Sequence, residues 1–204
     1  MNHLNKDNSM YDVIGSRASR AFRVLWLAEE MGIQYTHLAV ASGSPEALAA
    51  NPSGKIPALR DGEAVLTDST AIMTYLADKH GQFTHAPGTV ARARQDALTH
   101  QILDEIDGTL WTAARHSFVL PEERRVPAVK DSLKWEYARN IARLSDALAG
   151  PFLQGETMTI ADILLAHCLI WAGKAGFSDP GEKLNAYLGM MSGRPACQRA
   201  SALS

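Results

Sequence analysis

The residues best placed for chemistry are Asn51-Pro52-Ser53-Gly54-Lys55-Ile56-Pro57-Ala58-Leu59 and, nine residues later, Asp68-Ser69. Two prolines flank a glycine turn ahead of a short apolar run. This is the pattern of a loop leading into a strand, with the Ile56-Pro57 bond restricted and open to the cis form. A cis bond there turns the Ile56 N–H and C=O outward, where they can pair with an extended peptide as an added strand would. Asp68 and Ser69 stand where the next helix must begin. A helix start offers unpaired N–H donors and partial positive charge to a carboxylate, and its capping acid can also accept from an ammonium group. Together these groups suit a small peptide that carries both a carboxylate and an amine. A second locus is the loop Gly15 to Arg20, whose helix N-terminus presents N–H groups and positive dipole.

These groups need a scaffold, and up to residue 81 the sequence alternates strand and helix patterns. Met10 to Ile14 reads as a short strand. Ala18 to Met31 carries Phe22, Leu25, Trp26 and Ala28 at helical spacing and ends at Gly32. Gln34 to Val40 alternates as a strand, and Pro45 to Ala50 gives a short helix. Ile56 to Arg60 and Ala64 to Leu66 flank the hairpin signal Asp61-Gly62, and Asp68 to Lys79 closes the unit as a helix. The order β-α-β-α-β-β-α is what a thioredoxin-like domain requires.

Residues 82–90, rich in Gly, Pro and Thr, read as a linker, and residues 1–9 as a flexible polar tail. Residues 91–204 read as an all-helical domain, so the predicted fold class is α/β plus all-α, with 10–81 as the α/β part. Ala91 to Phe118 places Leu98, Ile102, Ile106 and Leu110 on one face. Val126 to Leu148 follows, and Thr159-Ile160-Ala161-Asp162 is a capping box opening a helix to about Trp171. In that box Asp162 reaches back to the helix start, a structural role. Glu182 to Met191 and Ala196 to Ala202, the latter entered through Pro195, complete the domain.

Composition excludes several classes. Twenty basic and 22 acidic side chains leave a net charge of -2 with no basic block, against a nucleic-acid partner. The polar opening lacks a signal-peptide core and no later run spans a bilayer, which points to the cytoplasm and away from a membrane. The two cysteines, Cys168 and Cys197, form no CxxC motif, and the seven histidines are scattered without metal-ligand spacing. No metal is expected.

Five stretches, in order, resemble the soluble, two-domain glutathione transferases. Gly15-Ser16-Arg17-Ala18-Ser19-Arg20-Ala21-Phe22-Arg23-Val24-Leu25-Trp26-Leu27 is similar to the family's first loop and helix. Asn51 to Leu59 is similar to its cis-proline loop, and Leu66-Thr67-Asp68-Ser69-Thr70-Ala71-Ile72 to the start of its third helix. Thr159 to Asp162 and Arg194-Pro195-Ala196 resemble its second-domain signatures. The closest pattern is that of bacterial-like, serine-type members.

The resemblance implies glutathione as cosubstrate. Ile56 would pair with the tripeptide backbone and Pro57 would line the same site, Asp68 and Ser69 would hold its γ-glutamyl end, and Lys55 its glycyl end. Arg20 either pairs with a glutathione carboxylate or lies on a solvated helix face. No basic residue occurs in Ala41-Ser42-Gly43-Ser44-Pro45, where several branches carry one, so glycyl anchoring is either weaker or rests on Lys55 alone. A thiol near pKa 8.5 is mostly protonated at neutral pH, and a hydroxyl donor beside a helix start can stabilise its thiolate. Ser19 is the leading donor, with Ser16 and Tyr11 as alternatives; Ile14 removes a further tyrosine position. Trp111, Arg115 and Phe118, four and three apart, would share a face of a second-substrate pocket for an apolar electrophile. Conjugation to a small electrophile is the implied activity, with peroxide or disulfide reduction and a non-catalytic binding module as alternatives. A homodimer is expected. Family members pair the thioredoxin-like domain of one subunit with the helical domain of the other through helices equivalent to Asp68–Lys79 and Ala91–Phe118, and on the first of these Ile72, Met73, Tyr75 and Leu76 look like more than one buried face needs.

Overall fold

A computed structural model describes residues 11–204. The expected tail 1–9, and Met10 of the first strand, lie outside the described residues. Two units emerge: the described residues up to Gln82 together with Gly193–Ser204, and Phe83–Ser192.

In the first unit, β1 (Tyr11–Ile14) and β2 (Tyr35–Leu38) run parallel, so a crossover must join them. Helix α1 (Ala21–Met31) provides it, and Gly32 ends it in the left-handed conformation. Helix α2 (Pro45–Ala50) starts at Ser44, whose hydroxyl accepts from Ala47 N at 3.2 Å. Strands β3 (Ala58–Asp61) and β4 (Ala64–Thr67) form the antiparallel hairpin, and α3 (Ser69–His80) follows. The sheet order is β2-β1-β3-β4. Its register matters for function: Ile14 faces Ala58, and Ala58 faces Thr67, so one row across three strands ends where three loops begin.

The predicted boundary at 91–204 needs correction. Helix α9 (Pro195–Ala202) belongs to the first unit and packs on α1. Its inward residues Ala196, Cys197 and Ala200 are small and buried, which lets two helices approach closely. Arg194 grips Glu30 with Nε and Nη2, and Arg199 Nε meets Glu29 Oε2 at 2.6 Å. With the sheet, α3 and α9 around it, α1 is buried continuously from Ala21 to Ala28. The expectation about α3 also changes. Ile72, Met73 and Leu76 are fully buried inside the unit, and Tyr75 is half-buried with its hydroxyl on Asp61, so α3 has no surplus apolar face.

The second unit is helical, as predicted. A long helix runs through α4 (Val90–Gln101), a π-helical segment (Ile102–Asp107), α5 (Gly108–Ala114) and a second π segment (Arg115–Val119). Gly108 N bonds Leu103 O five residues back, and a Cβ there would lie 3.2 Å from that oxygen, so the wide turn is tight for any larger residue. Ile102, Ile106 and Leu110 are buried as expected, but Leu98 is only half-buried. The α4 row is completed by Gln95 and Thr99 instead. Gln95 accepts from His85 N at 2.9 Å and donates to Thr84 Oγ1 at 3.1 Å. Ile160 N bonds Phe83 O at 2.9 Å. The predicted linker is therefore, from Phe83 on, part of the helical unit.

Helices α6 (Val129–Ala147), α7 (Ile160–Lys174) and α8 (Glu182–Ser192) complete it. The capping box is present: Asp162 accepts from Thr159 N and Leu153 N, both at 2.8 Å, and from Tyr187 OH at 3.1 Å. Both cysteines are buried, and neither takes part in a disulfide. Among the described residues no helix is long and apolar enough to cross a membrane.

Candidate active site

Three loops meet at one end of the sheet because Ile14, Ala58 and Thr67 share a row. Gly15–Ser16 leaves β1, Ile56–Pro57 precedes β3, and Asp68–Ser69 follows β4. The Ile56-Pro57 bond is cis, as the sequence allowed. Neither the N–H nor the C=O of Ile56 finds a partner among the described residues. Ahead of it, Asn51 shapes the loop: Oδ1 accepts from Ser53 N and Oγ, and Nδ2 donates to Lys55 O at 3.1 Å. The Lys55 side chain is exposed. Ser42 gives its hydroxyl to Gly54 O at 3.0 Å, so the stretch lacking a cation serves to brace this loop.

Asp68 is the N-cap of α3, exposed and at φ 69°. Its Oδ1 accepts from Thr70 N at 2.9 Å and Ala71 N at 3.0 Å. The second carboxylate oxygen is not used by the cap, and the helix start lies beside it. Ser69 is buried and accepts from Arg23 Nη1 at 3.3 Å. With a lone pair so occupied, the Ser69 hydroxyl retains its proton as a donor.

The Gly15 to Arg20 loop separates the serines. Ser19 donates to Ser16 O at 2.6 Å and accepts from Ala21 N at 3.1 Å, so its hydroxyl staples the turn into α1. Ser16 Oγ accepts from Ala18 N at 3.2 Å, and its proton goes to no group among the described residues. Arg20 occupies the N-cap of α1 without a side-chain cap bond and is half-buried, not on an open face. Tyr11 is at the wrong end. Four residues back along the strand, about 13 Å by strand rise, its hydroxyl meets His80 Nε2 at 3.0 Å.

In the helical unit, Trp111 and Arg115 are half-buried, and Arg115 Nη2 donates to Thr112 Oγ1 at 2.9 Å. Phe118 is 70% exposed. The π turn that starts at Arg115 closes with Leu120 N on Arg115 O, so spacing of three no longer continues the row that spacing of four began. Trp111 and Arg115 stay together; Phe118 does not follow. Sequence reasoning also missed Arg23. Its signal was a cation inside the run Ala21-Phe22-Arg23-Val24-Leu25, which buries it completely.

A thioredoxin-like unit with a cis-proline loop and a capped helix start at one sheet end can take up an extended peptide. The family model for the glutathione S-transferase N-terminal domain matches residues 19–79. Human glutathione S-transferase theta-2B is 31% identical over 181 residues, covering 78% of this chain and 70% of that protein. A glutathione transferase from Methylococcus capsulatus str. Bath superposes with TM-score 0.83 at 25% identity, over 93% of this chain and 96% of that one. The glutathione-bound theta class enzyme from Xanthomonas axonopodis pv. citri gives TM-score 0.75 at 29% identity, over 96% and 99% of the two chains. The chain belongs to the glutathione S-transferase family.

Proposed function

We propose that the chain conjugates glutathione to small electrophiles, with the tripeptide seated across the three loops of the first unit. The observation that carries this is the Ile56 peptide group, without a partner among the described residues, entering β3 at the same end of the sheet as the Asp68-capped helix start. Ile56 takes the cysteinyl backbone as an added strand. The Asp68 carboxylate accepts from the γ-glutamyl ammonium, and the Ser69 hydroxyl with the α3 N–H groups takes its carboxylate. Lys55 reaches the glycyl carboxylate. The sulfur then lies against the first loop. There the Ser16 hydroxyl, in preference to Ser19, donates to it and stabilises the thiolate that attacks the electrophilic carbon. Arg20 adds positive charge beside that loop. A cytoplasmic role in disposing of reactive compounds accords with this chemistry, and it requires no metal.

Calorimetry tests the site. Asp68→Ala should weaken glutathione binding about tenfold to a hundredfold, because it removes a charge-assisted contact and the helix cap together. Lys55→Ala, which loses an exposed charge pair, should weaken it about threefold. If both variants bind glutathione like the parent protein, the seat is elsewhere.

The protein is further proposed to act as a two-fold dimer, on the strength of the family likeness. Light scattering at micromolar concentration should give about twice 22.1 kDa. A stable 22.1 kDa species with full activity would overturn the dimer.

A further inference from the structure

We infer that His37 is a positioning residue for the thiolate donor, acting through the carbonyl of Gly15. The inference rests on the proposed glutathione site and adds a residue to it. His37 lies on β2, the edge strand, and its Nε2 is 2.9 Å from Gly15 O. A carbonyl can only accept, so Nε2 carries the proton and donates.

The peptide plane between Gly15 and Ser16 is thereby held at both ends. Its oxygen takes the His37 N–H, and its N–H, that of Ser16, donates to Val40 O at 2.9 Å. Gly15 N in turn donates to Leu38 O at 2.9 Å. A plane fixed at its oxygen and its hydrogen cannot rotate about its Cα–Cα axis, and this fixes the direction in which Ser16 leaves the backbone. His37 provides the only side-chain restraint of the three; the other two are backbone bonds that any sequence could make.

Gly15 leaves no slack on the other side. It sits at φ 139°, and a Cβ there would lie 3.0 Å from Ile56 Cβ and 3.1 Å from Ala21 Cβ. Only a glycine fits between the residue whose peptide group is offered to glutathione and the first turn of α1, so the Cα at which this plane begins is closely flanked. A donor displaced by about 1 Å loses much of its effect on a reacting atom. Water could satisfy the Gly15 carbonyl in place of His37, but water would not hold the plane. His37 itself is half-exposed and lines an open cleft with Glu29, Tyr35 and Arg199, so its removal opens no cavity in the core.

The test compares His37→Leu, which keeps bulk and loses the donor, with His37→Gln, whose amide nitrogen can restore it. Glutathione affinity is read by calorimetry, the pKa of bound glutathione by thiolate absorbance, and turnover with a reactive aryl halide. His37→Leu should lower kcat about five- to tenfold and raise the bound-thiol pKa by about half a unit to one unit. The glutathione Kd should stay within about twofold, and His37→Gln should recover most of both changes. A wild-type thiol pKa in His37→Leu, or equal losses in the two variants, overturns the inference. Failure of the parent protein to lower the thiol pKa would instead defeat the glutathione reading. Amide exchange at Ser16 then decides the positioning claim: about tenfold faster exchange in His37→Leu upholds it, and unchanged exchange overturns it.

Discussion

Replacing Asp162 with alanine is expected to melt the helical unit roughly 10 °C earlier than in the parent protein. The carboxylate is fully buried at the start of α7 and accepts from two backbone N–H groups, Leu153 and Thr159, and from the hydroxyls of Thr159 and Tyr187. Burial pushes the carboxyl above the usual carboxylate range, and these donors pull against it. Alanine leaves the donors buried without their acceptor, at roughly 1–3 kcal/mol for each one that finds no substitute. Tyr187 has one, since its hydroxyl also reaches Asp162 O at 3.1 Å. A net loss of about 3–5 kcal/mol follows, which in a chain of this length corresponds to roughly 10 °C in Tm. Asp162→Asn keeps the shape but turns an N–H₂ toward a donor, and should lose about 2 kcal/mol. Circular dichroism melts separate the outcomes; an alanine variant within about 2 °C of the parent would show that the box contributes little.

Turnover should fall about ten- to a hundredfold in Ser16→Ala, while Ser19→Ala should change it by less than about threefold. One hydrogen bond to a charged sulfur is worth roughly 1.5–3 kcal/mol, which sets the first figure. The contrast comes from where the protons go: Ser19 donates to Ser16 O at 2.6 Å, whereas Ser16 has its proton available. Ser19→Ala should still reduce stability by about 1 kcal/mol, because Ala21 N loses its acceptor. The bound-thiol pKa is the direct readout, and it should rise in Ser16→Ala alone. If it rises only in Ser19→Ala, the Ser19 hydroxyl must turn from Ser16 O to the sulfur on binding. If neither variant moves it, backbone N–H groups stabilise the thiolate.

The parts legible in the sequence were those written within a few residues. The Ile56-Pro57 bond, the Asp68 cap and the box at Thr159–Asp162 each depend on neighbours no more than four apart, and each is present. The choice between Ser16 and Ser19 was not legible in this way. Both are hydroxyls in one loop, and only the folded position of Ser16 O decides which proton is taken. Pairings across long separations were also hidden: Arg194 with Glu30 and Arg199 with Glu29 bring α9 onto α1 from 164 and 170 residues away. The π turns defeated the pocket row because periodicity assumes one pitch, and Phe118 lies beyond a change of pitch. The apolar positions of α3 misled for a simpler reason. A helix covered by a sheet on one side and α1 on another buries more than one stripe, so Ile72, Met73 and Leu76 needed no second subunit.

The return of Gly193–Ser204 to the first unit bears on how the protein is made. A nascent chain usually completes its N-terminal domain first, as soon as that domain has left the ribosome. Here the order is reversed. The helical unit, Phe83–Ser192, is contiguous and can close once residue 192 has emerged. The thioredoxin-like unit, begun first, must wait with the α9-facing side of α1 open until residues 193–204 arrive. The Glu29–Glu30 end of α1 is thus the last part of the first unit to be braced. A stop codon ahead of Arg194 would leave a translated sheet whose first helix has lost both its arginine clamps, an obvious substrate for chaperones and proteases.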